Sequence, residues 1–158
     1  MVIVQTDDLA AARRRIETSA TRIVFELALD DIATVHLHPR DTGGALLSID
    51  AATQPAEWRW AGPDWRARSR SARCTALAGV EIQCDEPSDV AARWSRLLAR
   101  PAGALERGGH EIALDDSILR FVPPRDDRGE GIHTVLLRGT GPSAGEEALL
   151  CGARFRFR

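Results

Sequence analysis

The chain has 158 residues, of which 44% are hydrophobic and 28% are charged, and its formal net charge is −2 at pH 7. This composition is typical of a globular protein, and the charge excludes a general attraction to nucleic acid or to anionic membranes. The apolar runs are too short to cross a bilayer, and no signal peptide precedes the first predicted strand, so we expect a cytoplasmic protein. Lysine and tyrosine are absent, which excludes a Schiff-base lysine, a phosphate-loop lysine and a tyrosine acid or base.

The cysteines and two of the histidines indicate no site of their own. The odd number of cysteines and the lack of CxxC spacing argue against a disulfide framework. We expect free, mostly buried thiols in a reducing compartment at Cys74, Cys84 and Cys151. His110 and His133 stand at the starts of predicted strands, and we expect both on the surface.

The first half of the chain predicts a strand, a helix and three further strands. An apolar strand covers 2–5, and Asp8 caps a helix over 9–18 because its carboxylate accepts the free amide hydrogens of a helix start. Alternating apolar residues predict strands at 22–29, 33–38 and 45–49, with Asp30 and Asp31 in the first turn. In the next turn, Pro39 ends strand pairing and Gly43 and Gly44 allow a tight hairpin after Thr42.

The second half repeats this order. A strand at 79–84 precedes a helix over 87–99 with one apolar face, formed by Val90, Trp94, Leu97 and Leu98. Pro101 stops the helix. Strands then follow weakly near 104–106 and more clearly at 111–114 and 118–122. An additional strand covers 131–137, and the alternating residues 153–158 predict an edge or pairing strand after a flexible turn at 139–146.

These repeats predict an α+β protein of two βαβββ modules, because one such unit cannot bury the face of its sheet alone. The first module covers 1–52, and a linker rich in Trp, Pro and Arg covers 53–76. The second module, with its extra strand, covers 77–138, and a C-terminal turn and strand cover 139–158.

The strongest motif is His38-Pro-Arg-Asp-Thr-Gly-Gly44. Together with the strand and helix at 2–11, the strand and helix from residue 79, and the stretch Arg120-Phe-Val-Pro-Pro-Arg-Asp-Asp-Arg-Gly-Glu-Gly131, it resembles the glyoxalase/bleomycin-resistance/dioxygenase (vicinal-oxygen-chelate) superfamily, particularly its methylmalonyl-CoA-epimerase-like members. The resemblance covers residues 2 to about 137. It implies that the two modules curl into a half-open, mixed-sheet barrel of eight strands, and that the protein is a homodimer.

The resemblance also implies where a metal would be bound. Members of this superfamily hold a divalent cation with His or Gln on the first strand and Glu on the fourth strand of each module. The matching positions here are Met1, Ser48, Gly79 and Arg120. These residues do not suit such a cation, so we expect no metal at these positions and no cofactor. A natural start upstream of Met1 would change only the first of them.

A guanidinium at the former metal position would attract a carboxylate, an enolate or a phosphate. The first hypothesis is therefore a metal-free protein that binds a small carboxylate or acyl-type ligand in the barrel cavity. Its predicted ligand-binding residues are Ser48, Asp50, Trp60, Glu81, Gln83 and Arg120, and its catalytic candidates are Glu81, as a base, and Arg120. The alternative is that Arg120 points out of the barrel or pairs with an internal acid such as Asp50 or Glu81.

Two other classes of function stay open. One is a metal-dependent lyase, epimerase or dioxygenase that binds Mn, Fe, Co, Ni or Zn through shifted ligands, with His36 and His38 on one strand face. The other is a non-catalytic sequestering or structural homodimer. Whether the protein is an enzyme is left open.

The linker contains a cluster of tryptophans and a cluster of arginines, and each cluster has two interpretations. Its tryptophans either line an apolar ligand pocket or seal the junction between the modules or a dimer contact, and they are Trp58, Trp60 and Trp65. Its densest cluster of arginines forms either a solvated face or a site for phosphate or coenzyme A, and the members of this cluster are Arg66, Arg68, Arg70 and Arg73.

Overall fold

The computed structural model describes residues 1–57, 59–140, 145–150 and 152–158. The chain divides into two units, Met1–Thr42 with Leu46–Ser69 and Gly43–Ala45 with Arg70–Arg158. Trp58, Cys151 and the centre of the turn expected at 139–146 lie outside the described residues. None of the described helices combines the length and the apolar character that a membrane span requires.

The first unit contains a four-stranded sheet with the order β1-β4-β3-β2. Its elements are β1 (Val2–Gln5), α1 (Leu9–Thr18), β2 (Ile23–Ala28), β3 (Ile32–Leu37), α2 (Pro39–Thr42), β4 (Leu47–Ala52) and α3 (Trp65–Arg68), with a 3-10 turn at Arg59–Ala61. Strands β1 and β4 are parallel, and β3 pairs antiparallel with both β4 and β2.

Local chemistry explains the predicted helix α1. Asp8 caps it, because its Oδ1 accepts a hydrogen bond from the amide of Ala11 at 2.8 Å. Ala12 and Ile16 are buried and lie four residues apart, on one face of the helix. On β4 the apolar residues Leu47 and Ile49 alternate with the polar residues Ser48 and Asp50. The sheet therefore has one apolar and one polar face.

The hairpin turn predicted between β3 and β4 is wrong in detail. Pro39–Thr42 form one helical turn instead, which suits a proline in its first position, and the amide of Thr42 donates to the carbonyl of His38 at 3.1 Å. Gly43 and Gly44 do adopt positive φ angles, of 71° and 69°. The amide of Ala45 bonds locally to the carbonyl of Gly43, so β4 starts at Leu47 rather than at Ala45.

The second unit contains a seven-stranded sheet with the order β10-β11-β9-β5-β8-β7-β6. Its elements are β5 (Cys74–Gln83), α4 (Pro87–Leu98), β6 (Ala102–Ala104), β7 (His110–Ala113), β8 (Ile118–Val122), β9 (Gly131–Gly139), β10 (Glu147–Leu150) and β11 (Ala153–Phe157), with a 3-10 turn at Glu106–Gly108. The order β5-β8-β7-β6 repeats the order of the first sheet, so the predicted duplication of strand, helix and three strands is confirmed.

Helix α4 covers the apolar face of this sheet. Its buried residues include Val90, Trp94 and Leu97, and the ring of Trp94 meets the ring of Phe121 edge-on at a centroid distance of 5.3 Å. Ala99 ends the helix in the left-handed conformation, before Pro101. The predicted amphipathic face is therefore confirmed.

The second unit departs from the predicted elements in several places. β5 begins at Cys74, within the range predicted as linker, and the weak strand expected near 104–106 lies at Ala102–Ala104. Strand β10 was not predicted. It pairs with β11, which lies inside the sheet beside β9, so β11 is a pairing strand and not an edge strand. The eight strands expected of the two modules are β1 to β4 and β5 to β8, the strands β9, β10 and β11 extend the second sheet, and neither sheet closes on itself. The boundaries given above for the two modules, the linker and the C-terminal segment remain predictions from the sequence.

Strand β5 approaches β8 so closely at Gly79 that a side chain cannot be accommodated there. A Cβ atom at this position would lie 2.2 Å from the carbonyl oxygen of Ile118, and the φ angle of Gly79 is +148°. The close parallel pairing of β5 with β8 therefore requires glycine.

We expect Gly79→Ala to lower the free energy of unfolding by about 2 kcal/mol or more, because it combines a backbone clash with a φ angle that L residues avoid. Chemical denaturation measures this change. Gly103→Ala is the matched control, because a Cβ there meets nothing within 4 Å. Equal stability of the two variants would contradict the interpretation.

Candidate functional site

One face of the seven-stranded sheet carries charged side chains at paired positions on neighbouring strands. Glu111 on β7 pairs with Arg120 on β8, which pairs with Glu81 on β5. Glu81 pairs with Thr134 on β9, and Thr134 pairs with Arg154 on β11. Directly paired residues project to the same face of a sheet, so this row crosses five strands. We call this surface the charged face.

Glu81 lies at the centre of the charged face and is only 2% exposed. Guanidinium nitrogens of three arginines surround its carboxylate, with Nη1 of Arg156 at 3.3 Å, Nη1 of Arg125 at 3.5 Å and Nη1 of Arg120 at 3.8 Å. Burial of a carboxylate is costly unless opposite charge compensates it. The three arginines supply that charge, and Glu81 in turn holds their guanidinium groups together.

Two further glutamates hold the outer sides of these arginines. Nε of Arg120 donates to Glu111 at 2.7 Å, and Nε of Arg156 donates to Glu147 on β10 at 2.6 Å. Arg154 also donates to Glu147, at 2.9 Å. These pairs fix the two guanidinium groups in place, and the side chains of Arg120 and Arg156 stay 26% and 29% exposed.

The loop after β8 is anchored by Gln83. Its Nε2 donates to Asp126 at 2.8 Å and to the carbonyl of Gly129 at 2.6 Å, and its Oε1 accepts the amide of Arg125 at 3.0 Å. The hydrogen bonds of Arg128, followed by that of Gln83, hold the pKa of the Asp126 carboxyl well below its usual range. Gln83 was predicted to bind a ligand, but its amide is used to position Arg125.

The expectation that His133 lies on the surface is wrong. Its side chain is 6% exposed, because a bulge at this point of the β5–β9 pairing turns it towards the loop after β8. Nδ1 of His133 lies 2.7 Å from the hydroxyl of Thr134, and its Nε2 lies 3.6 Å from Asp126. Burial is the main cause that lowers the pKa of His133, and the carboxylate of Asp126 opposes the shift. His110 is half-buried rather than exposed.

The lowered pKa of His133 predicts a loss of stability in weak acid. Below pH of about 6.5 the unfolded chain binds a proton at this imidazole, and the native protein resists that proton, so protonation favours unfolding. The free energy of unfolding, measured in urea between pH 7.5 and 5, should therefore fall more steeply in the parent protein than in His133→Gln. Parallel curves for the two proteins would contradict this assignment.

The polar face of the first sheet contains a buried carboxylate. Asp50 is 1% exposed, and its Oδ1 accepts hydrogen bonds from Thr34 and Ser48, each at 2.6 Å. The two hydroxyl oxygens lie 3.0 Å apart. The indole of Trp60, which is 39% exposed, donates to Oδ2 of Asp50 at 2.7 Å. The predicted ligand-binding residues Ser48, Asp50 and Trp60 therefore do meet in the structure, where they satisfy one another.

We expect Asp50→Ala to lower the free energy of unfolding by about 2 to 3 kcal/mol, because it leaves buried hydroxyl and indole donors without their charged acceptor. Asp30→Ala, at an exposed position, is the control and should stay within about 0.5 kcal/mol of the parent protein. Urea denaturation followed by circular dichroism measures both. A small effect of Asp50→Ala would show that water replaces the carboxylate.

The positions implied for metal ligands do not fit a divalent cation in either unit. Ile3 pairs with Ser48 in the first sheet as Glu81 pairs with Arg120 in the second, so Ser48 and Arg120 occupy equivalent positions. Ser48 is bound to Asp50, Gly79 has no room for a side chain, and Arg120 brings a positive charge. The part of the chain that the structure describes contains no group of three or more His, Cys, Asp or Glu residues placed to hold a metal ion.

His36 and His38, the ligands of the metal-dependent alternative, make ordinary structural contacts. The ring of His36 lies against that of Phe25, with the centroids 4.9 Å apart and the planes tilted by 43°. His38 follows the end of β3, and its Nδ1 accepts the amide of Arg40 at 3.1 Å. The prediction that both histidines lie on strand β3 is therefore true of His36 alone.

Other sequence features have structural explanations. In the arginine cluster of the linker, three members pair with carboxylates at the surface: Arg66 with Glu57, Arg68 with Asp64 and Arg73 with Glu146. Arg66 also lies over the ring of Trp65. Burial, followed by the charge of Glu130, raises the pKa of the Cys84 thiol to about 12, so this cysteine is a structural thiol rather than a nucleophile.

The fold has clear relatives among solved structures. A hypothetical protein from Staphylococcus aureus superposes with a TM-score of 0.70 at 11% sequence identity, over 99% of this chain and 63% of that one. The Mn(II)-bound glyoxalase from Novosphingobium aromaticivorans superposes with a TM-score of 0.66 at 9% identity, over 98% of this chain and 61% of that one. The chain has a glyoxalase-like fold. It spans about three fifths of the length of these two proteins.

The glyoxalase-like fold is thus confirmed by structure alone. No protein-family model matches the sequence, and no curated protein matches it. The sequence predicts Glu81 and Arg120 among the ligand-binding residues, and these two lie on one face of the second sheet, but it did not indicate the other charged residues of this face, namely Glu111, Arg125, Glu147, Arg154, Arg156 and Arg158. The alternation of arginine and phenylalanine over 153–158 was the signal that could have located the last three.

Proposed function

We propose that this glyoxalase-like protein binds a small carboxylate or acyl-type ligand on the charged face, through arginine side chains and without a divalent metal. One observation carries the proposal: three guanidinium groups converge on a single buried carboxylate, that of Glu81. Arginine is suited to this task because its planar group offers five N–H donors, keeps its charge at any physiological pH and matches the two oxygens of a carboxylate.

The arginines are accessible to a ligand as well as fixed. Their side chains are 26% exposed at Arg120, 29% at Arg156 and 42% at Arg125. A ligand can therefore accept hydrogen bonds from the exposed parts of these guanidinium groups while Glu81, Glu111 and Glu147 hold them in place. Such preorganised donors bind an anion without a large loss of side-chain entropy on binding.

In this proposal Glu81 positions the guanidinium groups, and Arg120 stabilises negative charge on a ligand oxygen. If the ligand is turned over, Arg120 supplies the electrostatic stabilisation that a cation supplies elsewhere, because a fixed positive charge lowers the energy of an enolate or oxyanion. In this proposal the stabilising positive charge is that of an arginine side chain and not that of a bound metal ion.

The proposal predicts that carboxylates bind and that an arginine variant weakens this binding. Isothermal titration calorimetry with propionate and with malonate should give binding to the parent protein that Arg120→Ala weakens at least about tenfold, the loss typical of a charge-assisted hydrogen bond. Arg96→Ala, on the exposed side of α4, should leave the affinity unchanged.

A second arginine variant and a metal analysis serve as controls for this experiment. Arg125→Gln removes a more exposed guanidinium at lower risk to folding, and it should also weaken binding. Plasma mass spectrometry after incubation with Mn, Fe, Co, Ni and Zn should show no stoichiometric metal. Undiminished carboxylate binding in both variants, or one bound metal ion per chain, would overturn the proposal.

The cytoplasmic location, the homodimer and a coenzyme A site at the linker arginines stay predictions from the sequence. We infer none of them from the fold, because distant likeness of fold does not carry partners or location with it.

A further inference from the structure

The charged face carries more positive than negative charge. Besides Arg120, Arg125 and Arg156, it includes Arg154, which pairs with Glu147, and Arg158, whose guanidinium lies near that of Arg120. Partial burial of the Arg158 guanidinium, followed by the charge of Arg120, lowers the pKa of Arg158. Among the side chains that the structure describes on this face, five arginines face three glutamates, so the side-chain charges leave an excess of two positive charges.

The other groups beside the charged face leave this excess unchanged. Arg128 donates to Asp126 at 3.0 Å, and this pair is neutral overall. His133 lies 3.6 Å from Asp126, and its lowered pKa keeps the imidazole uncharged at neutral pH. Thr134 is fully buried and contributes a hydroxyl. The excess therefore belongs to the guanidinium groups alone.

The excess is also concentrated at one place. Arg120 comes from β8, Arg125 from the loop after it and Arg156 from β11, yet all three reach the same carboxylate within 3.8 Å. A ligand group that neutralises them must bring two negative charges close together and must present oxygens in more than two directions. A planar carboxylate brings a single charge, whereas a phosphate monoester brings two charges on three oxygens.

We propose that the ligand of the charged face carries a phosphate monoester in addition to its carboxylate or acyl group, and that the dianion of this phosphate is the form that binds. This inference rests on the proposed function and names the chemistry that anchors the ligand. Arg158 and Arg125 supply the charges that distinguish a dianion from a monoanion.

The test compares two probes that differ by one charge. Isothermal titration calorimetry at pH 7.5 and low salt should show that methyl phosphate, a dianion, binds at least about tenfold more tightly than dimethyl phosphate, a monoanion. It should also show that methyl phosphate binds more tightly than malonate, whose two charges are further apart. Equal affinity for the two phosphates, or tighter binding of malonate, would overturn the inference.

The pH dependence gives a second readout. The second ionisation of a phosphate monoester has a pKa of about 6, so the affinity for methyl phosphate should rise between pH 5 and 7.5 while that for dimethyl phosphate should not. Protonation of His133 in acid would act in the opposite direction, so the experiment is repeated with His133→Gln. A methyl phosphate affinity that is independent of pH in both proteins would overturn the inference.

Variants separate this inference from the proposed function. Arg125→Gln and Arg158→Gln should each reduce the preference for methyl phosphate over dimethyl phosphate, and Arg96→Gln should leave it unchanged. If propionate binds but methyl phosphate has no advantage, the phosphate inference fails and the carboxylate site stands. If none of the four anions binds, both fail.

Discussion

The buried carboxylate of Glu81 is the point on which the charged face depends. An isolated charge at 2% exposure would destabilise the fold by several kcal/mol. Three arginines from different elements compensate it, and two of them are in turn fixed by Glu111 and Glu147. The result is a network in which Arg120 pairs with both Glu81 and Glu111, and Arg156 with both Glu81 and Glu147, while both side chains stay partly exposed. The carboxylate of Glu81, which would be costly to bury alone, thereby aligns three guanidinium groups.

The two sheets solve the same packing problem with different chemistry. Both have the order of a first strand beside a fourth, third and second strand. In the first sheet the buried carboxylate of Asp50 is satisfied by neutral hydroxyl and indole donors, which leave it closed within the unit. In the second sheet Glu81 is satisfied by guanidinium groups, which stay partly exposed. We therefore locate the proposed binding function on the second sheet.

Most of the fold could be predicted from the sequence, because it depends on local signals. The cap at Asp8, the apolar face of α4 and strand β8 are set by side-chain chemistry within a few residues, and the structure places them as predicted. The site was harder to predict. Glu81 meets Arg156 across 75 positions of sequence, because β5 and β11 both pair with β9, and no local pattern specifies these two pairings. His133 is buried because of a bulge, and a regular strand alternation cannot foresee that irregularity.

Gly79 and Arg120 together have a consequence for how the protein depends on its surroundings. A metal centre must be loaded after synthesis, competes with other metalloproteins for a scarce ion and can be emptied by a chelator. Here one implied ligand position is closed by the backbone of Ile118, and another holds a guanidinium that is part of the polypeptide. The positive charge at this position is therefore present as soon as the second sheet has formed, whatever the supply of metal ions.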